Sequence, residues 1–261
     1  MKISLPLNTF WKTVVLFFFP AFTNMLYAQN STADTTNTAT SISNAINAYH
    51  QQLFPETNLY NGIEYVDYAY TINEGIPFFA TTQFSTGTVE YDNMLYQHVP
   101  LLYDEVKEAV VIIDVYGTNK IQLNNENVAG FSLLNHRFVK LVRDSSGKSP
   151  IRSGFYDVLY QGNIVVYKKQ TKKVLENITM SEGLKRSIGE QNEYFIKKRN
   201  TFYVVNNKKD VLSITKDKKT EMQQYIKKNR LNFRRAKELS LIKIASYYDQ
   251  LTAKQLLLHI P

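Results

Sequence analysis

Short runs of β-branched and aromatic residues, separated by turn signals, follow one another from Gly62 to Asn206. The turns recur at intervals of roughly 8–12 residues, which is typical of an antiparallel meander. Asp92-Asn93 is one of these turns, since both residues tolerate a backbone with positive φ. The chain also contains 18 Tyr and 15 Phe, whose rings pack well on a pleated surface. The pattern predicts a mainly β (α+β) fold.

The predicted strands differ in how their apolar residues are distributed. Several of them, such as Phe155–Tyr160, are apolar on both faces, so we expect both faces of the sheet to be covered. A sandwich, a curled sheet and an open barrel all meet this requirement. In chain order the predicted strands are Ile63–Thr71, Thr88–Asp92, Met94–Tyr103, Ala109–Tyr116, Lys120–Leu123, Val128–Leu133, Arg137–Val142, Gly154–Tyr160, Ile164–Lys169, Glu193–Lys198 and Thr201–Val205.

Helical periodicity replaces the strand pattern after Asn207. A short helix is predicted over Lys208–Ile214, and a second helix is predicted to be capped by Asp217 and to end near Asn229. A third helix is predicted from Arg234 to Leu251. We expect these helices to pack on the sheet as a C-terminal helical pair with a short leading piece. The buried face of the last helix is predicted to contain Leu239, Ile242, Ala245 and Tyr248.

The first 28 residues have the pattern of a secretory signal peptide. Lys2 and Lys12 are basic, the run Thr13–Phe22 is apolar, and a small residue, Ala28, precedes Gln29. We expect cleavage between Ala28 and Gln29. The alternative is an uncleaved anchor, but a spanning helix needs about 20 apolar residues.

Export and composition together predict where the protein is found. The chain has no cysteine, which excludes a lipid-modified cysteine, disulfides and a thiol nucleophile. No second apolar run approaches membrane-spanning length, so we expect a periplasmic or extracellular protein that is soluble after cleavage. The predicted segments are a signal peptide (1–28), a disordered leader with a short helix (29–61), a β domain (62–206) and a helical segment (207–261).

Charge is distributed unevenly along the chain. Residues 29–165 carry 7 Lys and Arg against 14 Asp and Glu, whereas residues 166–261 carry 22 against 9. Such asymmetry indicates either an anionic partner or attraction between the two halves of the molecule. Anionic lipid or glycan is the expected partner of an exported protein, and no nucleic acid is expected. The candidate contacts with an anionic surface are Lys227, Lys228, Arg230, Arg234 and Arg235; the alternative is that they form the solvated face of the helices.

No residue spacing identifies an active site. The four histidines are His50, His98, His136 and His259, and none forms a pair with metal-ligand spacing. Glu90 and Asp92 are read as the solvated side of a strand. The carboxylates of Asp104, Glu105 and Glu108 are read as ordinary turn residues. We therefore predict no catalytic residues, no metal and no cofactor.

Two parts of the chain are distinctive when taken together. The first part is Gly87–Asp92 with Leu95–Asp104, and the second is Asn207–Asp210 with Tyr225–Phe233 and Tyr247-Tyr248-Asp249. They resemble a family of uncharacterised exported proteins from Bacteroidota-type bacteria. The Tyr27-Ala28-Gln29 junction adds to the resemblance. It implies a cell-envelope setting and no catalytic residues.

Three functions remain open. The first is a non-catalytic exported envelope protein that binds an envelope protein or an apolar ligand. The second is an exported hydrolase acting on glycan or peptide, which would require His98 or His136 to lie beside a carboxylate in a pocket. The third is association with an anionic surface through the basic helical segment.

Overall fold

A computed structural model describes residues 58–257 except Ser146, Lys148 and Glu182, together with Ser41 and Ala45. Residues 58–257 fall within one compact unit, Ser43–Pro261. The predicted signal peptide, its cleavage site at Ala28 and Gln29, and nearly all of the predicted leader lie outside the described residues. Among the described helices, none is both long and apolar enough to cross a membrane.

One antiparallel sheet of eleven strands dominates the described part of the chain, and it is not closed. Its strands lie in the order β1-β5-β4-β3-β2-β6-β7-β8-β9-β10-β11. The predicted mainly β fold with C-terminal helices is confirmed. The strands are β1 Ile63–Glu64, β2 Ser85–Tyr91, β3 Met94–Asp104, β4 Ala109–Ile113, β5 Lys120–Gln122, β6 Val128–Leu133, β7 His136–Leu141, β8 Gly154–Gln161, β9 Ile164–Thr179, β10 Gly183–Lys198 and β11 Thr201–Val204.

The sheet is curled, as a single distance demonstrates. The rings of Tyr103 on β3 and Phe155 on β8 lie 5.9 Å apart between centroids, although four strand spacings separate these strands in the sheet. In a flat sheet that separation would be roughly 19 Å. Of the three predicted architectures, the structure is therefore the curled sheet.

Aromatic side chains fill the inside of this curl. Phe131 stacks on Phe138 at 4.7 Å, and Tyr103 meets both rings at 5.1 and 5.3 Å. Phe79 packs edge-on against Phe138 at 5.0 Å. Distances of this size are those of rings in direct contact. The described aromatic residues thus form a packed core inside the curl, and their side chains fill the space that an apolar ligand enclosed by the sheet would need.

Three strand predictions were far from the observed length. The predicted strand Ile63–Thr71 is in fact two residues long, because the chain then leaves the sheet and directs the hydroxyls of Tyr65 and Tyr68 to Asp104. In contrast, β9 and β10 have 16 residues each and form one long hairpin. Their distal halves lack a period-2 apolar pattern and were therefore not predicted as strands. The two strands still form backbone hydrogen bonds with each other, whatever their side chains are.

Three α-helices follow the sheet: α1 (Lys208–Ile214), α2 (Lys219–Lys228) and α3 (Lys237–Leu257). Asn207 caps α1 in a capping box with Asp210. The helices bury their apolar faces against β8, β9 and β10 in a second cluster. That cluster includes Ile164, Val166, Ile196, Val211, Met222, Ile226, Leu241, Ile244, Ala245 and Tyr248.

The predicted buried face of the last helix was partly wrong. Ala245 and Tyr248 are buried as predicted, but Leu239 is 53% exposed. Ile242 is only half-buried, and Leu241 and Ile244 are buried instead. The i, i+3, i+4 spacing that meets the sheet is therefore 241, 244, 245 and 248, in a helix that begins at Lys237 rather than at Arg234.

Asp217 does not cap a helix, contrary to the sequence prediction. It lies in a 3-10 turn, Lys216–Lys218, that precedes α2. Its carboxylate accepts hydrogen bonds from Lys198 Nζ at 2.6 Å and from the Tyr248 hydroxyl at 2.9 Å. These bonds connect β10 to α3, and they lower the pKa of Asp217 despite its partial burial.

Phe155→Ala tests whether the aromatic core maintains the curl. Removing this ring leaves a cavity among Tyr103, Phe131 and Phe138, so we expect the free energy of unfolding to fall by about 3–5 kcal/mol. Urea denaturation measures the change. Tyr116→Ala is the control, since Tyr116 is 80% exposed and its removal should have little effect. Equal destabilisation by both variants would contradict the proposed role of Phe155.

Candidate functional site

An open, positively charged cleft lies between α1, α2 and the segment that joins α2 to α3. Its volume is about 600 Å³, and we refer to it as the basic cleft. Its cations are Lys208, Lys227, Arg230 and Arg234. Its apolar residues are Ile226, Leu231 and Phe233.

The end of α2 positions Arg230. Asn229 closes the helix, with its backbone N–H donating to Tyr225 O at 2.9 Å. Arg230 then adopts a positive φ of 50°, which turns the chain so that Leu231 N donates to Ile226 O at 3.1 Å. This C-terminal turn is of the type that satisfies the last helical carbonyls. It places Leu231 over Ile226 and leaves the Arg230 guanidinium exposed.

The segment between α2 and α3 is held by Asn232. Its side-chain oxygen accepts hydrogen bonds from the backbone N–H groups of Arg234 and Arg235, both at 3.0 Å. Its backbone oxygen accepts from Ala236 N at 2.9 Å. An asparagine that binds the following backbone in this way fixes a turn. The arginines therefore project from an ordered backbone.

The electrostatics of the basic cleft are one-sided. Within the described residues, no carboxylate lines it and none forms an ion pair with Lys208, Lys227, Arg230 or Arg234. Several cations that face one cleft add to each other's positive potential, and this potential attracts anions. Below them lies an apolar floor, in which Ile226 is buried and Leu231 and Phe233 are half-buried. The arrangement is chemically suited to an anion that carries an apolar part.

The structure separates the five predicted contact residues into three groups. Lys227, Arg230 and Arg234 lie together in the basic cleft. Arg234 also lines a neighbouring cleft of about 630 Å³, together with Arg235. Lys228 is exposed on α2 and lines neither cleft. Lys208 was missed because it is 19 positions before Lys227 and joins the cleft only through the packing of α1 on α2.

A second arrangement brings a histidine beside a buried carboxylate. His136 Nδ1 lies 2.7 Å from Asp157 Oδ2, and Asp157 is 3% exposed. Burial raises the pKa of Asp157, although His136 opposes this shift. The Phe79 ring packs edge-on against the imidazole at 4.9 Å. A carboxylate on Nδ1 orients a histidine for proton transfer, and sequence spacing carried no sign of the pair.

The His136–Asp157 pair lacks other parts of a hydrolytic site. Within the described residues, no hydroxyl forms a hydrogen bond with His136. Neither residue lines the basic cleft or its neighbour. On the inner side of the sheet, Asp157 lies opposite Lys168 on β9, and Lys168 pairs with Glu238 of α3 at 3.1 Å. The pair thus belongs to a polar seam between the sheet and α3.

The remaining candidates of the sequence analysis are dispersed. His98 is exposed at a β-bulge with a positive φ of 57°, whereas His50 and His259 lie outside the described residues. Glu90 is exposed on β2, and Asp92 lies in the following turn. In the described part of the chain, no three His, Cys, Asp or Glu side chains gather as a metal site.

Asp104 and Glu105 are not ordinary turn residues, contrary to expectation. Asp104 is fully buried and accepts hydrogen bonds from the hydroxyls of Tyr65 and Tyr68 at 2.7 and 2.8 Å. Burial and these hydrogen bonds raise the pKa of both tyrosines. Val106 N and Lys107 N also donate to Asp104 Oδ1. A buried carboxylate with four donors is a structural centre.

Glu105 is buried beside a buried lysine. Its Oε2 lies 3.1 Å from Lys172 Nζ as an ion pair, but neither carboxylate oxygen has a hydrogen bond of regular geometry within the described residues. Lys172 also donates to the carbonyls of Ile76 and Phe78 at 3.1 and 2.7 Å. Burial raises the pKa of Glu105 and outweighs the opposing effect of Lys172. The cluster joins β9 to the β3–β4 turn and to residues 76–78.

Comparison with protein-family models, curated proteins and solved structures finds no match for this chain. Function is therefore inferred from the positions and chemistry of its own side chains.

Glu105→Gln tests the buried carboxylate through the pH dependence of stability. The folded pKa of Glu105 lies above its usual value of 4.5, so between the unfolded and folded pKa values the native state binds more protons. Stability must then fall as pH rises through this window. We expect Glu105→Gln to remove that fall. Denaturant titrations over acidic to neutral pH measure it, with the exposed Glu126→Gln as control; an unchanged slope in Glu105→Gln would contradict the assignment.

Proposed function

We propose that the chain is an exported, non-catalytic protein of the bacterial cell envelope that associates with an anionic lipid surface through the basic cleft. One observation carries the proposal: four cations without ion-pair partners among the described residues lie above an apolar floor. The signal-peptide pattern that ends at Ala28 and the absence of cysteine support an exported protein that is soluble after cleavage.

The apolar floor favours lipid over acidic glycan. A phospholipid offers a phosphate to the cations and methylene groups to Ile226, Leu231 and Phe233, whereas a glycan offers mostly hydroxyl groups to the same floor. Each cation near an anionic membrane contributes about 1 kcal/mol. Four such residues support reversible binding that weakens as salt screens the charges.

A triple variant tests this proposal, and it combines Lys227→Ala, Arg230→Ala and Arg234→Ala. Co-sedimentation with vesicles of phosphatidylglycerol and phosphatidylcholine measures binding at low and high salt. Losing three cations should weaken binding at low salt by roughly a hundredfold. The matched control replaces Arg143, Lys216 and Lys243, which are exposed and lie outside the basic cleft.

Two results would overturn the proposed cleft. The first is equal binding loss in the cleft variant and in the matched control, which would indicate attraction by net charge alone. The second is binding to an acidic polysaccharide with no binding to anionic vesicles, which would indicate a glycan partner. Circular dichroism of each variant establishes that the fold is retained.

A hydrolase acting on glycan or peptide is the second candidate function, and the His136–Asp157 pair favours it. A histidine held on Nδ1 by a buried carboxylate is the arrangement that general bases use. Against it stand the missing hydroxyl partner in the described residues and the packing of Phe79 on the ring. We therefore rank it below surface association.

Substitutions in the His136–Asp157 pair test the hydrolase candidate. Under the non-catalytic proposal, we expect glycoside, ester and peptide substrates to be turned over no faster by the protein than by its His136→Ala variant. Asp157→Asn should lower stability without changing any turnover. An activity that His136→Ala abolishes in a folded protein, with a pH profile that Asp157→Asn shifts, would instead establish the hydrolase.

A further inference from the structure

The distal end of the β9–β10 hairpin carries exposed apolar side chains. We call Ile178, Met180 and Leu184 the hairpin tip. Ile178 is 76% exposed, Leu184 is 44% exposed and Met180 is fully exposed. Large apolar side chains that cluster on a protruding element mark an interaction site. We infer that the hairpin tip inserts into the interfacial region of a lipid bilayer.

The hairpin tip projects beyond the rest of the described structure. The last backbone contacts that brace β10 are those of Arg186 with Asn73, at 2.8 Å from Asn73 N to Arg186 O, and with Glu74 at 3.3 Å. Three residues separate Arg186 from the start of β10 at Gly183, which is roughly 10 Å of strand. Segments that lie in a membrane interface are buried by about 5–10 Å. The projecting length therefore matches the depth required.

Side chains along the hairpin change from apolar to charged with distance from its end. Ile178 and Leu184 are opposite each other in the strand register, so they share a face. The next pair on that face is Glu176 and Arg186, which form an ion pair at 2.7 Å and present no net charge.

A cation lies on the opposite face near the end of the hairpin. Lys185 is exposed there, one position from Leu184, whereas Lys173 pairs with Gly189 and lies roughly 20 Å from the hairpin end. A lysine beside an inserted apolar group reaches headgroup phosphates while its stem stays in apolar surroundings.

A bilayer fits the hairpin tip better than a protein partner does. A stable protein interface uses roughly 20–30 residues from each partner, and the tip offers three large apolar side chains on a projecting strand end. A bilayer requires no complementary shape, so a few apolar groups suffice when other contacts add to them. The choice of lipid as partner rests on the proposed surface association, while the exposure and projection of the tip are independent of the basic cleft.

Met180→Trp provides a local probe of insertion. The single tryptophan of the chain, Trp11, lies in the predicted signal peptide, so in the protein cleaved after Ala28 position 180 is the only source of indole fluorescence. We expect the emission to shift to the blue with vesicles and to be quenched by brominated lipid. The matched control is Tyr116→Trp in the same background, since Tyr116 is 80% exposed in another turn; it should neither shift nor be quenched.

A further measurement distinguishes membrane binding by the hairpin tip from membrane binding by the basic cleft. It repeats the fluorescence experiment with the basic-cleft residues Lys227, Arg230 and Arg234 replaced by alanine. A blue shift retained on phosphatidylcholine vesicles supports the hairpin tip whatever happens to binding by the cleft. Ile178→Ser with Leu184→Ser should lower the salt-independent partition coefficient by roughly tenfold or more. The inference is overturned if position 180 shows no shift on any vesicle. It is equally overturned if the shift occurs without lipid and grows with protein concentration, which would reveal contact between copies of this chain.

Discussion

The contact between Tyr103 and Phe155 across the inside of the sheet is the constraint on which the remaining structure depends. It holds two strands together that a flat sheet would keep far apart. Glu108 reinforces it, because its carboxylate accepts from Phe155 N at 3.1 Å and pairs with Lys169 of β9. With β9 drawn to the β3–β4 turn in this way, the distal half of the β9–β10 hairpin extends from the curl, and the helices pack on β8 and on the proximal halves of β9 and β10.

The approach of β9 to the β3–β4 turn buries charged side chains, and this burial explains most of the buried polar groups in the structure. Lys172 loses its contact with water, and it donates hydrogen bonds to two backbone carbonyls and forms an ion pair with Glu105 instead. Removing one partner of such a cluster leaves an uncompensated charge, which is more costly than replacing both. The His136–Asp157 pair has a comparable position in the polar seam, where the aromatic core meets the helix-covered cluster. Packing accounts for the geometry of the pair, and a catalytic role would require additional functional groups beside it.

The sequence analysis was most accurate where structure depends on local signals. The Asp92-Asn93 turn and the helix Lys208–Ile214 were predicted because turn residues and caps act over a few positions. It failed where the structure depends on contacts between residues that are far apart in the sequence, such as the burial of Asp104 by tyrosines about 40 positions earlier. The length of β9 and β10 was missed for the same reason, and so was Lys208 as a neighbour of Lys227. No local pattern encodes these contacts.

The charge asymmetry of the chain has two physical origins that the structure separates. Lys169 and Lys172 of the basic half pair with Glu108 and Glu105 of the acidic half, whereas Lys198 pairs with Asp217 of its own half. Attraction between the two halves therefore accounts for the positions of Lys169 and Lys172. Lys227, Arg230 and Arg234 have no such partner among the described residues and face a shared concavity. Internal pairing thus uses cations that are buried or half-buried, whereas the four cations of the basic cleft remain available to a partner together with exposed cations elsewhere in the C-terminal half, such as Lys216 and Lys243.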